Sequence, residues 1–78
     1  MYYTYVLRSG LDGNLYIGFS ENLRKRIKQH LSGSVVATKS RLPLELVYYE
    51  ACLSKVKAVE REKYFKTGFG RRFLKGRI

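Results

Sequence analysis

The sequence is poor in the features that cross-link a chain, join domains or anchor a protein in a membrane. Cys52 is its only cysteine, which excludes an intrachain disulfide and is typical of a reducing compartment. Pro43 is its only proline, and no repeat, low-complexity segment or linker is present. No apolar run approaches the roughly 20 residues that span a bilayer, and no apolar segment of a secretory signal follows Met1. We therefore expect a compact cytoplasmic protein without membrane association.

Acidic residues are also scarce. The chain has 6 Asp and Glu against 16 Lys and Arg, and the net charge of +10 favours a polyanionic partner such as nucleic acid. Residues 21–40 carry +4 and residues 61–78 carry +6, whereas the rest is neutral. The segment 34–43 shows no clear apolar periodicity. It is either a passive connection or a further contact to phosphates. The candidate nucleic-acid contacts are Lys28, Lys39, Arg41, Arg71 and Arg72.

The length of 78 residues allows a single domain, residues 1–78. A domain of this size buries only about 60% of the surface of its unfolded chain, so its core is small. Any active site must then share its walls with that core.

Apolar periodicity and turn signals predict three strands and three helices. Apolar groups on both faces of the first strand indicate a central strand, and an Asp-Gly turn at 12–13 predicts a hairpin. Ser20 is the predicted N-cap of the first helix, with Glu21 in its first turn, and Ser54 caps the second. The predicted order is a strand at 2–8, a strand at 14–19, a helix from 21 to near 33, a strand at 44–51, a helix at 55–67 ended by Gly68, and a short basic helix within 69–78. This order predicts an α+β fold, ββαβαα, with helices flanking a three-stranded antiparallel sheet.

Periodicity also predicts which side chains face inward. They are Leu23, Ile27 and Leu31 in the first helix and Phe69, Phe73 and Leu74 in the last helix. In the third strand, Leu44, Leu46 and Tyr48 are predicted to share one face, and Glu45, Val47 and Tyr49 the other.

The stretch Asn14–His30 brings polar groups together. Tyr16 and Gly18 lie on one face of the second strand, and the glycine is expected to leave open space beside the Tyr16 ring. Arg26 and His30 lie one helical turn apart beside the apolar stripe of the next helix. A phenol, a guanidinium and an imidazole in one strand-helix unit indicate a candidate site. The same residue types also occur in ordinary strands and on solvated basic helices, so the pattern alone leaves both explanations open.

Glu62 is the other unusual residue. At 100° per residue it lies at the centre of a helix face that includes Ala58 and Phe65. A carboxylate on a packing face is costly unless a cation or several donors meet it. Glu62 is therefore either half of a structural salt bridge, with Arg26 or Lys66, or a metal ligand.

The chain resembles the GIY-YIG nuclease family in the order of its polar residues, which is Tyr5, Tyr16, Arg26, His30 and Glu62. The second family motif is intact as Tyr16-Ile17-Gly18, whereas Tyr3-Thr4-Tyr5 stands where the first motif has Gly-Ile-Tyr. The similarity runs essentially end to end. It is greatest to the small stand-alone bacterial members, which consist of the nuclease domain alone.

The resemblance implies hydrolysis of nucleic-acid phosphodiester bonds with one divalent cation, Mg²⁺ or Mn²⁺, and DNA ahead of RNA as the substrate. It places Tyr5, Tyr16, Arg26, His30 and Glu62 in the active site. Glu62 would hold the cation, and Arg26 would pair with the phosphate. The base that activates water would be Tyr16 or His30. Imidazole has a suitable pKa, whereas a phenol of pKa about 10 needs a stabilised phenolate; the resemblance favours Tyr16.

Two other functions fit the composition. A non-catalytic nucleic-acid-binding module would explain the charge equally well, but it would gain nothing from Glu62 in its cleft. A component of a larger ribonucleoprotein assembly has only the basic composition in its favour.

Overall fold

A computed structural model describes residues 1–78 and contains one antiparallel sheet with strand order β2-β1-β3. The predicted α+β class, the ββαβαα order and the central position of the first strand are confirmed. The elements are β1 (Tyr2–Ser9), β2 (Leu15–Ser20), α1 (Leu23–Leu31), a 3₁₀ turn (Lys39–Arg41), β3 (Leu44–Cys52), α2 (Lys55–Phe65) and α3 (Gly68–Lys75).

The sheet separates two apolar clusters. The cluster on the side of α2 and α3 is centred on Val6, Ile17, Phe65 and Leu74. The cluster on the side of α1 is centred on Tyr5, Leu7 and Leu44, with Leu23 and Ile27 packed against it. The molecule therefore has three layers, with α1 on one face of the sheet and α2 and α3 on the other.

The start of α1 differs from the prediction. Asn22, not Ser20, is the N-cap, and its Oδ1 accepts a hydrogen bond from the Lys25 backbone N–H at 3.1 Å. The Ser20 hydroxyl instead accepts from the Asn22 N–H at 3.0 Å, in the turn before the helix. Glu21 consequently precedes α1 and does not lie in its first turn. Ser54 caps α2 as predicted.

The end of α1 exposes a residue that was predicted to be buried. Leu31 is 51% exposed, whereas the adjacent His30 is 0% exposed. Leu31 is the last residue of the helix, and the chain turns at Gly33 with φ of 79°. The apolar stripe therefore stops at Ile27, and the histidine occupies the buried position of the last turn.

The boundary between α2 and α3 also lies elsewhere than predicted. α2 ends at Phe65, and Thr67 caps a new helix of which Gly68 is the first residue. A Cβ on Gly70 would overlap the backbone of α2, so this glycine is the point of closest approach between the two helices. Since Gly70 faces α2, its neighbour Phe69 points outward and is 71% exposed, contrary to the prediction.

β3 does not keep a strict alternation of faces. Its pairing with β1 skips Val47, which forms a bulge. Tyr48 consequently packs with Val47 on the side of α2 and α3, while Leu44 and Leu46 remain on the side of α1. The prediction that Tyr48 shares a face with the two leucines is wrong because of this one-residue insertion.

A polar network connects the edge strand β3 to α2. Arg61 donates two hydrogen bonds to the Glu50 carboxylate, at 2.9 and 3.0 Å, and the Tyr48 hydroxyl donates a third at 2.7 Å. The Arg61 guanidinium also lies 4.6 Å from the ring centre of Phe65 and 4.7 Å from that of Phe73. The network therefore joins β3, α2 and α3.

Acid should weaken this network. Burial of Glu50 alone would raise its pKa, but the hydrogen bonds from Arg61 and Tyr48 outweigh that effect and lower the pKa of the carboxyl below its ordinary value. A lowered folded-state pKa gives stability that is complete above the unfolded pKa and is lost as the pH falls through the folded one.

We expect Glu50→Gln to lower the unfolding free energy at pH 7 by about 2 kcal/mol and to reduce its decline in acid. Urea unfolding at a series of pH values measures both effects. Glu45→Gln is the matched control, because Glu45 is exposed and its ion pair with Arg8 is long, at 4.0 Å. A Glu50→Gln variant with the acid profile of the parent would contradict the assignment.

Candidate active site

Tyr5 lies on the central strand, opposite Gly18 of β2 and Tyr49 of β3. Its ring lies across Gly18, so closely that a Cβ on the glycine would overlap the hydroxyl end of the ring. The expected open space beside Tyr16 is therefore absent, because the Tyr5 ring fills it. Gly18 is required for this close approach, which directs the Tyr5 hydroxyl over β2.

His30 holds the Tyr5 hydroxyl from the side of α1. Its Nε2 lies 2.8 Å from Tyr5 Oη, and its Nδ1 lies 2.7 Å from Thr38 Oγ1. Burial lowers the pKa of His30, and the charge of Arg26 lowers it further. The imidazole is therefore neutral at neutral pH.

Tyr16 lies on the same face of the sheet as Tyr5 and is the more open of the two phenols. Its ring centre is 5.2 Å from that of His30, and its side chain is half-buried, whereas Tyr5 is 1% exposed. The two tyrosines thus flank one histidine, and Tyr16 forms the outer wall of the cluster.

Several neighbouring groups act on the pKa of the Tyr5 hydroxyl. Burial raises this pKa, a hydrogen bond and the charge of Arg26 oppose the rise, and the charges of Tyr16 and Glu62 add to it. Arg26 is half-buried and also donates a long hydrogen bond of 3.3 Å to Gln29 Oε1. The structure therefore brings Tyr5, Tyr16, Arg26 and His30 together and places Glu62 within electrostatic reach of the same hydroxyl.

Glu62 comes from α2, in the layer opposite α1. Its Oε2 lies 3.3 Å from Lys66 Nζ, so one of the two expected salt-bridge partners is present. The Glu62 side chain is 22% exposed and that of Lys66 is 54% exposed, so the pair is not a buried one.

The donor set around Glu62 limits the type of metal that fits. No group of three His, Cys, Asp or Glu side chains converges anywhere in the chain, which excludes a closed cage of protein ligands. A single carboxylate does fit Mg²⁺ or Mn²⁺, because these hard cations keep several waters and share phosphate oxygens of a substrate.

The predicted phosphate contacts fall into two groups on opposite faces of the sheet. Lys28 on α1 and Lys39 are exposed on the side of the two tyrosines. Arg41 is half-buried and lies 4.0 Å from an aspartate of the hairpin turn. Arg71 and Arg72 are exposed on α3, on the other side. The sheet therefore lies between the two groups of predicted contacts.

Thr38 is the member of the cluster that the sequence did not single out. It stands in a segment without periodicity, eight residues after His30, and its part in the cluster depends on one tertiary hydrogen bond. No local signal distinguishes it from an ordinary loop threonine.

The model of the GIY-YIG catalytic domain matches residues 1–75. The chain belongs to the GIY-YIG family. This GIY-YIG protein is similar to a UPF0213 protein of Bacillus pumilus, with 42% identity over 67 residues that cover 85% of this chain and 67% of the relative. A UPF0213 protein of Bacillus licheniformis shows 44% identity over 66 residues, which cover 83% of this chain and 67% of the relative.

The fold is shared as well. The solution NMR structure of a UPF0213 protein from Bacillus halodurans superposes with a TM-score of 0.61 at 32% identity, covering 97% of this chain and 84% of the other. Family membership places the chain in a nuclease superfamily whose members are generally metal-dependent and whose substrates are nucleic acids. None of its helices has the length and apolar character needed to cross a membrane.

Proposed function

We propose that this GIY-YIG protein is a metal-dependent endonuclease that hydrolyses nucleic-acid phosphodiester bonds, with DNA ahead of RNA as the substrate. The observation that carries the proposal is the Tyr5 hydroxyl, which is bonded to a buried neutral histidine and lies near a phenol, a guanidinium and a carboxylate. A protein that only binds phosphates gains nothing from the carboxylate or from a buried Tyr-His pair. Hydrolysis of a phosphodiester uses all of these groups.

Arg26 is the proposed phosphate ligand. Its half-buried guanidinium lies near enough to the Tyr5 hydroxyl for its charge to act on that group, and there it would meet the negative charge that grows on the phosphoryl oxygens during the reaction. Its positive charge also opposes the rise that burial causes in the pKa of Tyr5.

Tyr16 is the proposed base that takes the proton of the attacking water. It is half-buried, in contrast to the buried Tyr5, and a phenol can serve as a base where a nearby cation stabilises its ionised form. His30 is less suited to this role. Both of its ring nitrogens are already bonded, to Tyr5 and Thr38, and the ring is 0% exposed. We therefore assign His30 the role of holding Tyr5 in place.

Glu62 is the proposed ligand of the Mg²⁺ or Mn²⁺ ion. The exposed pair with Lys66 holds the carboxylate only weakly, since such pairs contribute about 0–1 kcal/mol, so Glu62 remains available to a cation. When bound, the ion supplies positive charge next to the phosphate and its leaving oxygen.

A cleavage assay tests this function. The parent protein is incubated with labelled single-stranded, double-stranded and branched DNA and RNA, with Mg²⁺ or Mn²⁺ and with EDTA. We expect metal-dependent cleavage of at least one substrate that stops in EDTA. Binding without cleavage of any substrate under any metal condition would instead support a non-catalytic binding module.

The binding-module alternative is favoured by the exposed basic residues on both faces, and salt dependence tests it independently of cleavage. Affinity should fall by about 0.9 log units per log unit of salt for each duplex phosphate contacted. Neutralising Lys28, Arg71 and Arg72 with glutamine should flatten that slope without changing any sequence preference.

Fluorescence anisotropy of a labelled duplex at several salt concentrations gives the slope. A matched variant with Lys55, Lys57 and Lys63 changed to glutamine removes the same charge from α2 and should keep more of the parent slope. Equal slopes in all three proteins would reject the predicted contacts. Separate variants of Lys28 and of the α3 pair then show which face the nucleic acid contacts.

A further inference from the structure

A cleft of about 320 Å³ lies between the turn of the β1–β2 hairpin and α3. The polar side chains that line it are Arg8, Asn14, Arg71 and Lys75, and its apolar lining includes Leu15 and Ile78. The two apolar residues pack against the cluster on the side of α2 and α3, so the cleft lies on the face of the sheet opposite Tyr5 and Tyr16. Its volume is within the range of about 300–1,000 Å³ that ligand pockets cover.

The three cations of this cleft have almost no partners. Arg71 and Lys75 lie one helical turn apart on α3, both are exposed, and neither belongs to any of the four ion pairs of the protein. Arg8 has one partner, Glu45, at 4.0 Å, and exposed ion pairs of this kind contribute little. No acidic side chain lines the cleft, so its positive charge is uncompensated and the two cations of α3 repel each other.

Asn14 adds a neutral donor at the same place. Its backbone is used within the turn, where the N–H donates to Asp12 Oδ1 at 2.9 Å and the carbonyl accepts from the Ser9 N–H at 2.9 Å. Its exposed side-chain amide remains available to a ligand. Asp12 does not line the cleft, and its carboxylate faces the Asn14 N–H and lies 4.0 Å from Arg41. The turn therefore contributes a donor without placing a carboxylate in the cleft.

Two guanidinium groups, an ammonium and an amide suit a phosphate group. Guanidinium forks pair with phosphate oxygens bidentately, and an ammonium supplies a further charged donor. Residues 61–78 carry +6, and family membership gives nucleic acid as the class of substrate. A phosphodiester of a nucleic-acid backbone is therefore the ligand that the charge and the donors of this cleft favour.

We propose that this cleft binds a backbone phosphate of nucleic acid, separate from the phosphate at the candidate active site. Arg8 lies three residues after Tyr5 on β1, roughly 10 Å along the strand, and on its opposite face. One phosphate cannot contact both places. Arg72 is not part of the cleft, and its guanidinium lies 5.3 Å from the ring centre of Phe69. The proposal rests on nucleic acid as the substrate of the proposed function, but not on its cleavage.

A titration followed by NMR tests the site on the parent protein. The probe is a thymidine tetranucleotide without terminal phosphates, in EDTA so that no metal-dependent cleavage occurs, and the amide signals of the ¹⁵N-labelled chain are recorded. We expect saturable shifts at residues 13–15 and 71–75. Inorganic phosphate should shift the same signals, and acetate at equal ionic strength should not. Shifts with inorganic phosphate alone, or an equal response to acetate, would overturn the assignment to a nucleic-acid backbone.

Two double variants of equal net charge separate the cleft from general attraction. Arg71→Gln with Lys75→Gln should raise the tetranucleotide concentration at half saturation by about tenfold or more, since two charged donors are lost. Lys55→Gln with Lys57→Gln removes the same charge from α2, outside the cleft, and should change it by less than about twofold. All four side chains are exposed, so both variants should keep the fold. Equal weakening in the two variants would indicate diffuse attraction only and would overturn the proposal.

Arg8→Gln tests whether the cations converge, because Arg8 reaches the cleft from β1 and not from α3. We expect this variant to weaken binding by about tenfold, as measured at the signals of residues 71–75. Glu45→Gln removes the partner of Arg8 and should not weaken binding. An unchanged half saturation in Arg8→Gln would mean that α3 binds phosphate without the cleft, contrary to the proposal.

Cleavage assays keep this inference apart from the proposed nuclease function. If the tetranucleotide binds in the cleft but the parent cleaves no substrate, the nuclease proposal fails and the cleft assignment stands. If the parent cleaves nucleic acid while the signals of residues 13–15 and 71–75 do not move, the cleft assignment fails alone.

Discussion

Replacement of Tyr16 by phenylalanine should lower the rate of cleavage by about 10²–10⁴-fold while substrate affinity barely changes. The substitution removes one oxygen and keeps the ring that packs at the edge of the α1 cluster. Because the Tyr16 side chain is only half-buried, the unfolding free energy should change by about 1 kcal/mol at most. Single-turnover cleavage and a binding titration on the same substrate separate the rate from the affinity.

Tyr49→Phe is the matched control. Tyr49 is 53% exposed on β3, and the loss of its hydroxyl should leave the cleavage rate unchanged. Arg26→Ala should differ from both, because a guanidinium that contacts the phosphate contributes to affinity as well as to rate. A Tyr16→Phe variant that cleaves at the parent rate would exclude the phenol as the base and return that role to His30.

Glu62→Gln should abolish Mg²⁺- or Mn²⁺-dependent cleavage and leave the fold and nucleic-acid binding intact. The amide keeps the shape of the side chain but lacks the negative charge that holds a hard cation. If Glu62 were instead half of a buried structural salt bridge, the variant should lose stability, since removing one partner of such a pair costs about 3–5 kcal/mol. The observed pair with Lys66 is an exposed one, so its loss should cost less than about 1 kcal/mol.

A thermal melt and a cleavage assay on the same preparations decide between these two roles. Glu60→Gln is the matched control, because Glu60 lies on the exposed side of the same helix. We expect Glu62→Gln and Glu60→Gln to melt like the parent, with activity lost in the first alone. A large drop in the melting temperature of Glu62→Gln, with no effect of metal on the parent, would make Glu62 a structural residue.

Local sequence signals predicted the elements of this fold but not their exact junctions. The hairpin turn, the central first strand and the Ser54 cap each depend on residues that are close in the chain, and all are confirmed. The bulge at Val47 and the outward Phe69 depend on how neighbouring elements fit together. A period of two or of 3.6 residues contains no information about a one-residue insertion or about the side on which Gly70 meets α2.

The candidate site was likewise predicted only in part. The family resemblance indicated Tyr5, Tyr16, Arg26 and His30, and the structure places their side chains in one cluster. It did not indicate Thr38, nor that the Tyr5 ring fills the space over Gly18. Both features arise from contacts between different elements, which a single sequence does not reveal.

The backbone of Tyr5 is paired on both sides, with Gly18 in β2 and with Tyr49 in β3. Fraying of either edge strand leaves the other ladder in place, so local fluctuations do not release this residue. Release of the β1 backbone at Tyr5 therefore requires both ladders to break. The place of Tyr5 in the candidate site is consequently kept for as long as the sheet itself stays folded.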